Sequence, residues 1–235
     1  MPARRIVDVL MTVLLLLLMS LQATEQTAHE YIGIAMGVLV AVHIYQNRKW
    51  FTTLFKGRYG AVRTLSTTIN LALITAFILS AAGGMIISET LMNADLDAFT
   101  ETGRSTHVAA SYWAFVLMGL HIGMHWAGIA GKIKSFWAKI LAVIFSGYGM
   151  YRFVIFRMLD YMLLRSYFVF LDYEKNSALV LLENTAMLAF CILLGHQACR
   201  LAAKPAEWRK PLAVLCMACA VCGVLIFTLG GPETF

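Results

Sequence analysis

Long apolar runs constrain this chain more than any other feature. Seven of them are read at about 6–23, 28–46, 65–88, 106–130, 136–156, 177–200 and 210–230. A helix rises about 1.5 Å per residue, so about 20 residues cross the ~30 Å hydrocarbon layer of a bilayer. The expected fold is therefore an all-α integral membrane bundle of about seven transmembrane helices. Composition agrees: 60% of the 235 residues are hydrophobic and 14% are charged. A soluble domain carries about 25% charged residues, so a water-soluble enzyme is excluded.

The short gaps between runs hold the charge, and they hold it unevenly. Arg4, Arg5, Arg48, Lys49, Lys56, Arg58, Arg63, Lys132, Lys134, Lys139, Arg200, Lys204, Arg209 and Lys210 fall on one side of the membrane, 14 of the 19 basic residues. Basic loops stay in the cytoplasm. The expected arrangement has a cytoplasmic N-terminus and an extracytoplasmic C-terminus, in a prokaryotic inner membrane. The net charge of +6 is then topology, and argues for no nucleic-acid partner. Membrane lipid is the expected surrounding. The first run, with its two arginines and small-residue end at Ala23, also fits a cleavable signal segment. Its length and the span that follows at once favour a retained helix.

Ionisable residues inside spans are costly and usually functional. The second span holds His29 and His43, and the fourth holds His107, His121 and His125. The separations His29 to His43 and His107 to His121 are both 14 residues. Fourteen residues bring a helix to about 40° short of four full turns and about 21 Å along its axis. Each pair therefore shares one helix face. The two spans run in the same direction, because one span lies between them. His29 is expected level with His107, and His43 level with His121.

Two imidazoles facing each other can supply both axial ligands of a haem iron. Two such sites at two depths make an electron path across the membrane. The expected cofactors are two non-covalent b-type haems, an outer one on His29 and His107 and an inner one on His43 and His121. Covalent attachment is not expected, since no Cys-x-x-Cys-His occurs. Gly33, Gly37 and Gly119 offer room for a flat macrocycle, or ordinary small-residue helix packing. Arg48 and Arg104 flank His43 and His107 and are candidate propionate partners. His125 is one turn beyond His121 and competes with it as inner ligand, or contacts a propionate or a quinone. A quinone is a candidate donor, and Glu30, Glu89, Glu183, His125 and His196 are candidates for taking its protons. Glu183 stands inside the sixth span with no evident partner nearby in sequence.

Five cysteines in apolar runs form no disulfide framework. Cys216, Cys219 and Cys222 recur along one side of a helix and read as small residues at a helix contact, or as ligands of a metal or cluster. Residues 1–130 are expected to form a four-helix haem-binding core, and 131–235 to add accessory helices. A mixed aromatic and charged segment near 157–175 is expected to lie along the outer interface, anchored by Tyr161, Tyr167 and Tyr173.

The stretches IVDVLMTVLLLLLMSLQAT, AHEYIGIAMGVLVAVHIYQNRKWF and HVAASYWAFVLMGLHIGMHW resemble the flavinylation-associated membrane cytochrome family. SGYGMYRF and YFVFLDYE extend the resemblance into the C-terminal half. It implies a dihaem membrane cytochrome that passes electrons to an extracytoplasmic FMN-bearing protein, with ligands among His29, His43, His107, His121 and His125. The scheme is also similar to cytochrome b of respiratory complexes. Two other readings are an anchoring cytochrome subunit of a dehydrogenase or hydrogenase, and a metal-ion transporter that uses His121 and His125 as zinc ligands.

Overall fold

The computed structural model describes residues 2–88, 97–126, 134–166 and 169–204. The apolar runs within that range are helices: α1 (Pro2–Leu18), α3 (Gln26–Gln46), α5 (Ala61–Ile87), α6 (Asp97–His125), α7 (Phe136–Ile155) and α9 (Ser177–Ala203). Short helices α2 (Leu21–Thr24), α4 (Lys49–Thr53) and α8 (Met158–Met162) lie between them. No strand occurs among the described residues. Five of the helices, α3, α5, α6, α7 and α9, are long and apolar enough to cross a membrane. The chain is thus a multi-pass helical membrane protein. The seventh expected span, with Cys216, Cys219 and Cys222, lies outside the described residues.

α1 is shorter than its apolar run. It stops at Leu18, and α2 begins after Ser20, whose hydroxyl donates back to the Leu16 carbonyl at 2.8 Å. Glu25, at φ 63°, then turns the chain into α3. An i−4 hydroxyl bond of this kind competes with the helical pattern and bends or ends it.

α6 is the central helix. It packs against α5 on one side and α9 on the other, and α7 packs on α9. Glycine allows the closest approaches. A side-chain carbon at Gly119 would strike Cys191 Cβ, and one at Gly123 would strike the Ile192 carbonyl. Gly195 lies equally close to Leu120, and Gly149 of α7 to Ala186. Without a hydrophobic force between helices in lipid, such small-residue contacts carry the packing. Gly119, expected beside a cofactor, is therefore a residue of the α6–α9 seam.

The apolar core runs across both halves of the chain. Met11 and Leu15 of α1, Met36 of α3, Tyr112 and Phe115 of α6, Met158, Tyr161 and Met162 of α8 and Met187 and Leu188 of α9 form one cluster. The segment after α7 departs from its expected interfacial course. Arg157 takes a left-handed conformation (φ 54°), the chain reverses, and α8 inserts into the bundle. Tyr161 stacks on Tyr112 with ring centres 4.8 Å apart and is buried, not an interfacial anchor. Trp113 Nε1 donates to the Met162 carbonyl at 2.9 Å. Tyr173 is exposed as expected, and Tyr167 lies outside the described residues.

Candidate histidine site between α3 and α6

Hydrogen bonds set the relative direction of the helices. His107 contacts Ser80 near the end of α5, and His121 contacts Asn70 nearer its start. α5 and α6 are therefore antiparallel. Ser80 Oγ and Ser111 Oγ, 2.6 Å apart, pin the same seam. Ser88, just after α5, donates to Glu30 near the start of α3 at 2.8 Å. The start of α3 is thus level with the start of α6, and the two helices run in parallel.

α3 packs on α1 and not closely on α6. Histidines span the space between them. The rings of His29 and His107 meet edge to face, with centroids 6.1 Å apart. A metal–imidazole nitrogen bond is about 2 Å. The ring centre lies roughly 1 Å beyond that nitrogen, so two rings on opposite sides of one metal stand about 6 Å apart. His107 Nδ1 is 2.7 Å from the Ser80 carbonyl oxygen. It carries the proton and donates, which leaves Nε2 as the free nitrogen. His29 Nδ1 is buried without a hydrogen-bond partner among the described residues.

The second level is built differently. His121 Nδ1 lies 2.8 Å from Asn70 Oδ1, which fixes its tautomer in the same sense. His43 Nδ1 lies 2.8 Å from Asp8 Oδ1 on α1. Asn47 Nδ2 reaches His43 Nε2 at 3.5 Å, a long contact. Among the described residues the printed ring contact of His121 is with His125, and the contacts of His43 are with Asp8 and Asn47. His125 lies on the exposed side of α6, its ring edge to face against His121 at 5.1 Å.

The other expected contributors are scattered. A side chain at Gly37 would meet nothing within 4 Å, and one at Gly33 would meet only Leu18, at 3.9 Å. Both positions leave room. Arg48 folds back, its guanidinium 4.5 Å over the Tyr45 ring. Arg104 is exposed one turn before His107. His196 of α9 is half-buried, its backbone nitrogen against Gly123. Glu89 lies outside the described residues. Glu183 has partners that its own sequence neighbourhood does not reveal. Arg152 Nη2 donates to it at 2.9 Å, Lys175 Nζ at 2.6 Å and Tyr148 Oη at 3.4 Å.

Four residues essential to this geometry are not singled out by the spacing of the histidines: Asp8, Asn70, Ser80 and Gly84. Asp8 and Asn70 are polar side chains inside apolar runs, a signal of the same kind as the histidines. Gly84 sits in the small-residue stretch Ser80-Ala81-Ala82-Gly83-Gly84. A side-chain carbon there would come within 3.0 Å of His107 Nδ1. The absence of that carbon gives the imidazole its place.

Among the described residues no three His, Cys, Asp or Glu side chains converge as a metal-ion cage. No protein-family model, curated protein or solved structure matches the chain.

Proposed function

We propose that the chain is a membrane cytochrome that carries electrons across the bilayer through two bis-histidine b-type haems. The observation that carries this reading is the facing pair His29 and His107, 6.1 Å apart across the space between two parallel helices. A bare ion at such a pair needs further protein ligands. A haem iron needs only its two axial ones. The histidine pairs, with no third converging ligand among the described residues, favour the haem.

His29 and His107 would hold the outer haem, and His43 and His121 the inner one. When bound, each haem would supply a one-electron couple. The protein's part is orientation. Ser80 and Asn70 hold the Nδ1 protons of His107 and His121, so each presents Nε2 to the space between α3 and α6. A hydrogen-bonded second nitrogen of this kind orients the ring and strengthens it as a ligand. His125, exposed and packed edge-on against His121, supports the inner ligand without replacing it.

The sidedness follows from the basic loops: the start of α1 and the His43–His121 level face the cytoplasm in a prokaryotic inner membrane. A quinol is the proposed donor. The resemblance to the flavinylation-associated membrane cytochromes supports an extracytoplasmic FMN-bearing protein as acceptor.

The test is a pyridine haemochrome assay with reduced-minus-oxidised spectra on the purified chain. Two b-type haems per chain are expected. A folded preparation from haem-replete cells that carries none overturns the reading.

A further inference from the structure

The Nδ1 atoms of the four pair histidines meet four different environments. His107 faces a neutral backbone carbonyl, His121 a neutral amide, and His29 no hydrogen-bond partner among the described residues. His43 faces a carboxylate: Asp8 Oδ1 lies 2.8 Å from its Nδ1. Glu30 is next to His29 in sequence, but its carboxylate accepts from Ser88 Oγ at 2.8 Å and Gln26 Nε2 at 3.2 Å. Arg4 and Arg5 precede Asp8 by one turn of α1. Among the described residues, the ion-pair partner of Asp8 is His43 and neither arginine.

We propose that Asp8 is a positioning residue for the His43–His121 site, and that its carboxylate holds the inner haem at a lower reduction potential than the outer one. This rests on the dihaem reading above. The geometry supplies the first part. A carboxylate accepting the Nδ1 proton fixes the tautomer of His43 and leaves Nε2 as the nitrogen available for iron, with only the long Asn47 contact to displace. The same contact makes the imidazole a more basic ligand. Basic ligation and a fixed negative charge favour the oxidised, more positive state of an iron. In the corresponding places the outer pair has a neutral carbonyl and, among the described residues, a nitrogen without a hydrogen-bond partner; the Glu30 carboxylate acts electrostatically on His29, whereas Asp8 bonds its histidine directly.

The asymmetry gives the path a direction. Single electrons pass downhill from the His43–His121 level to the His29–His107 level. A quinol at the near face gives up two electrons in succession and releases two protons. An oxidised flavin on a partner at the far face would take up two electrons, with protons from the aqueous phase. The carboxylate itself neither gains nor loses an electron.

The experiment is a spectroelectrochemical titration of the full chain with its haems, comparing wild type with Asp8→Asn and Asp8→Glu. Wild type should show two one-electron steps. Asp8→Asn should keep two haems per chain, move the lower step upward and leave the upper step in place. Asp8→Glu keeps the charge and should leave both steps close to wild type. A role in helix packing alone would lower thermal stability and move neither step. The inference is overturned if Asp8→Asn shifts the upper step or neither. Should Asp8→Asn lose one haem, Asp8→Glu decides. Retention of both haems and both steps supports the inference, and loss there as well overturns it. A wild-type chain without haem would instead overturn the dihaem reading, and this inference with it.

Discussion

Asn70 Oδ1 of α5 sits 2.8 Å from Nδ1 of His121 on the antiparallel helix α6. It is a polar side chain in the middle of an apolar helix, and its acceptor is spent on one imidazole. An interhelical hydrogen bond in a bilayer is worth about 0.6–2 kcal/mol. Loss of an orienting partner costs a ligand site about 10–100-fold in affinity. Asn70→Leu is therefore expected to lower the melting temperature only slightly and to strip haem from the inner site preferentially. Haem-to-protein ratio after stringent washing in detergent checks this. Unchanged retention would mean that Asn70 serves packing alone.

His121 and His125 are separated by substitution. The first is half-buried with its Nδ1 fixed on Asn70 of α5, whereas the second is exposed. His121→Ala is expected to lose one haem of two. His125→Ala is expected to retain both, with a small change in the inner haem spectrum from the lost ring contact at 5.1 Å. Quantitative haemochrome spectra of the two variants decide. The reverse pattern would assign the inner iron to His125.

The span pattern was legible in the sequence because membrane helices announce themselves one at a time. The runs read at 28–46, 136–156 and 177–200 became Gln26–Gln46, Phe136–Ile155 and Ser177–Ala203. The pairing of His29 with His107 was legible too, since equal spacing on parallel helices is a one-dimensional property. Partners across the bundle were not. Nothing near Glu183 in sequence points to Arg152, 31 residues away. Nothing near His43 points to Asp8, 35 residues away. The inward course of α8 escaped for a related reason. The segment is mixed in polarity, and only the turn at Arg157 and the stack of Tyr161 on Tyr112 bring its apolar side into the core.

Gly83 and Gly84 report on the α5–α6 seam at adjacent positions with different neighbours. A side-chain carbon at Gly83 would lie 2.7 Å from the Gly103 carbonyl oxygen and 2.8 Å from the His107 nitrogen. Both are backbone atoms that cannot step aside. Overpacking of this kind costs about 1–3 kcal/mol, so Gly83→Ala should lower thermal stability. At Gly84 the carbon would lie 3.0 Å from His107 Nδ1 and 3.1 Å from Cε1, atoms of a side chain that can turn. Gly84→Ala should therefore spare stability and disturb the outer haem, seen as a shift in its absorption or electron paramagnetic resonance signal. Equal effects of the two variants on stability would defeat the distinction.

Glu183 offers a prediction that separates structure from electron transfer. Its carboxylate is nearly buried and accepts from Arg152, Lys175 and Tyr148, which join α7 and the chain before α9 to α9 itself. Arg152 and Lys175 are 18% and 22% exposed, so the removal of the carboxylate leaves two poorly hydrated cations side by side. Breaking one partner of a buried ion pair costs about 3–5 kcal/mol. The partial exposure of the cations brings the expected loss for Glu183→Gln to the lower end, about 2–3 kcal/mol. The variant should melt earlier in detergent, and the loss should shrink if Arg152 is changed to Met in the same chain, because the repulsion then disappears. Haem content and both reduction steps should stay as in wild type, since none of these side chains hydrogen-bonds a pair histidine. A displaced reduction step in Glu183→Gln would instead tie this ion cluster to the electron path.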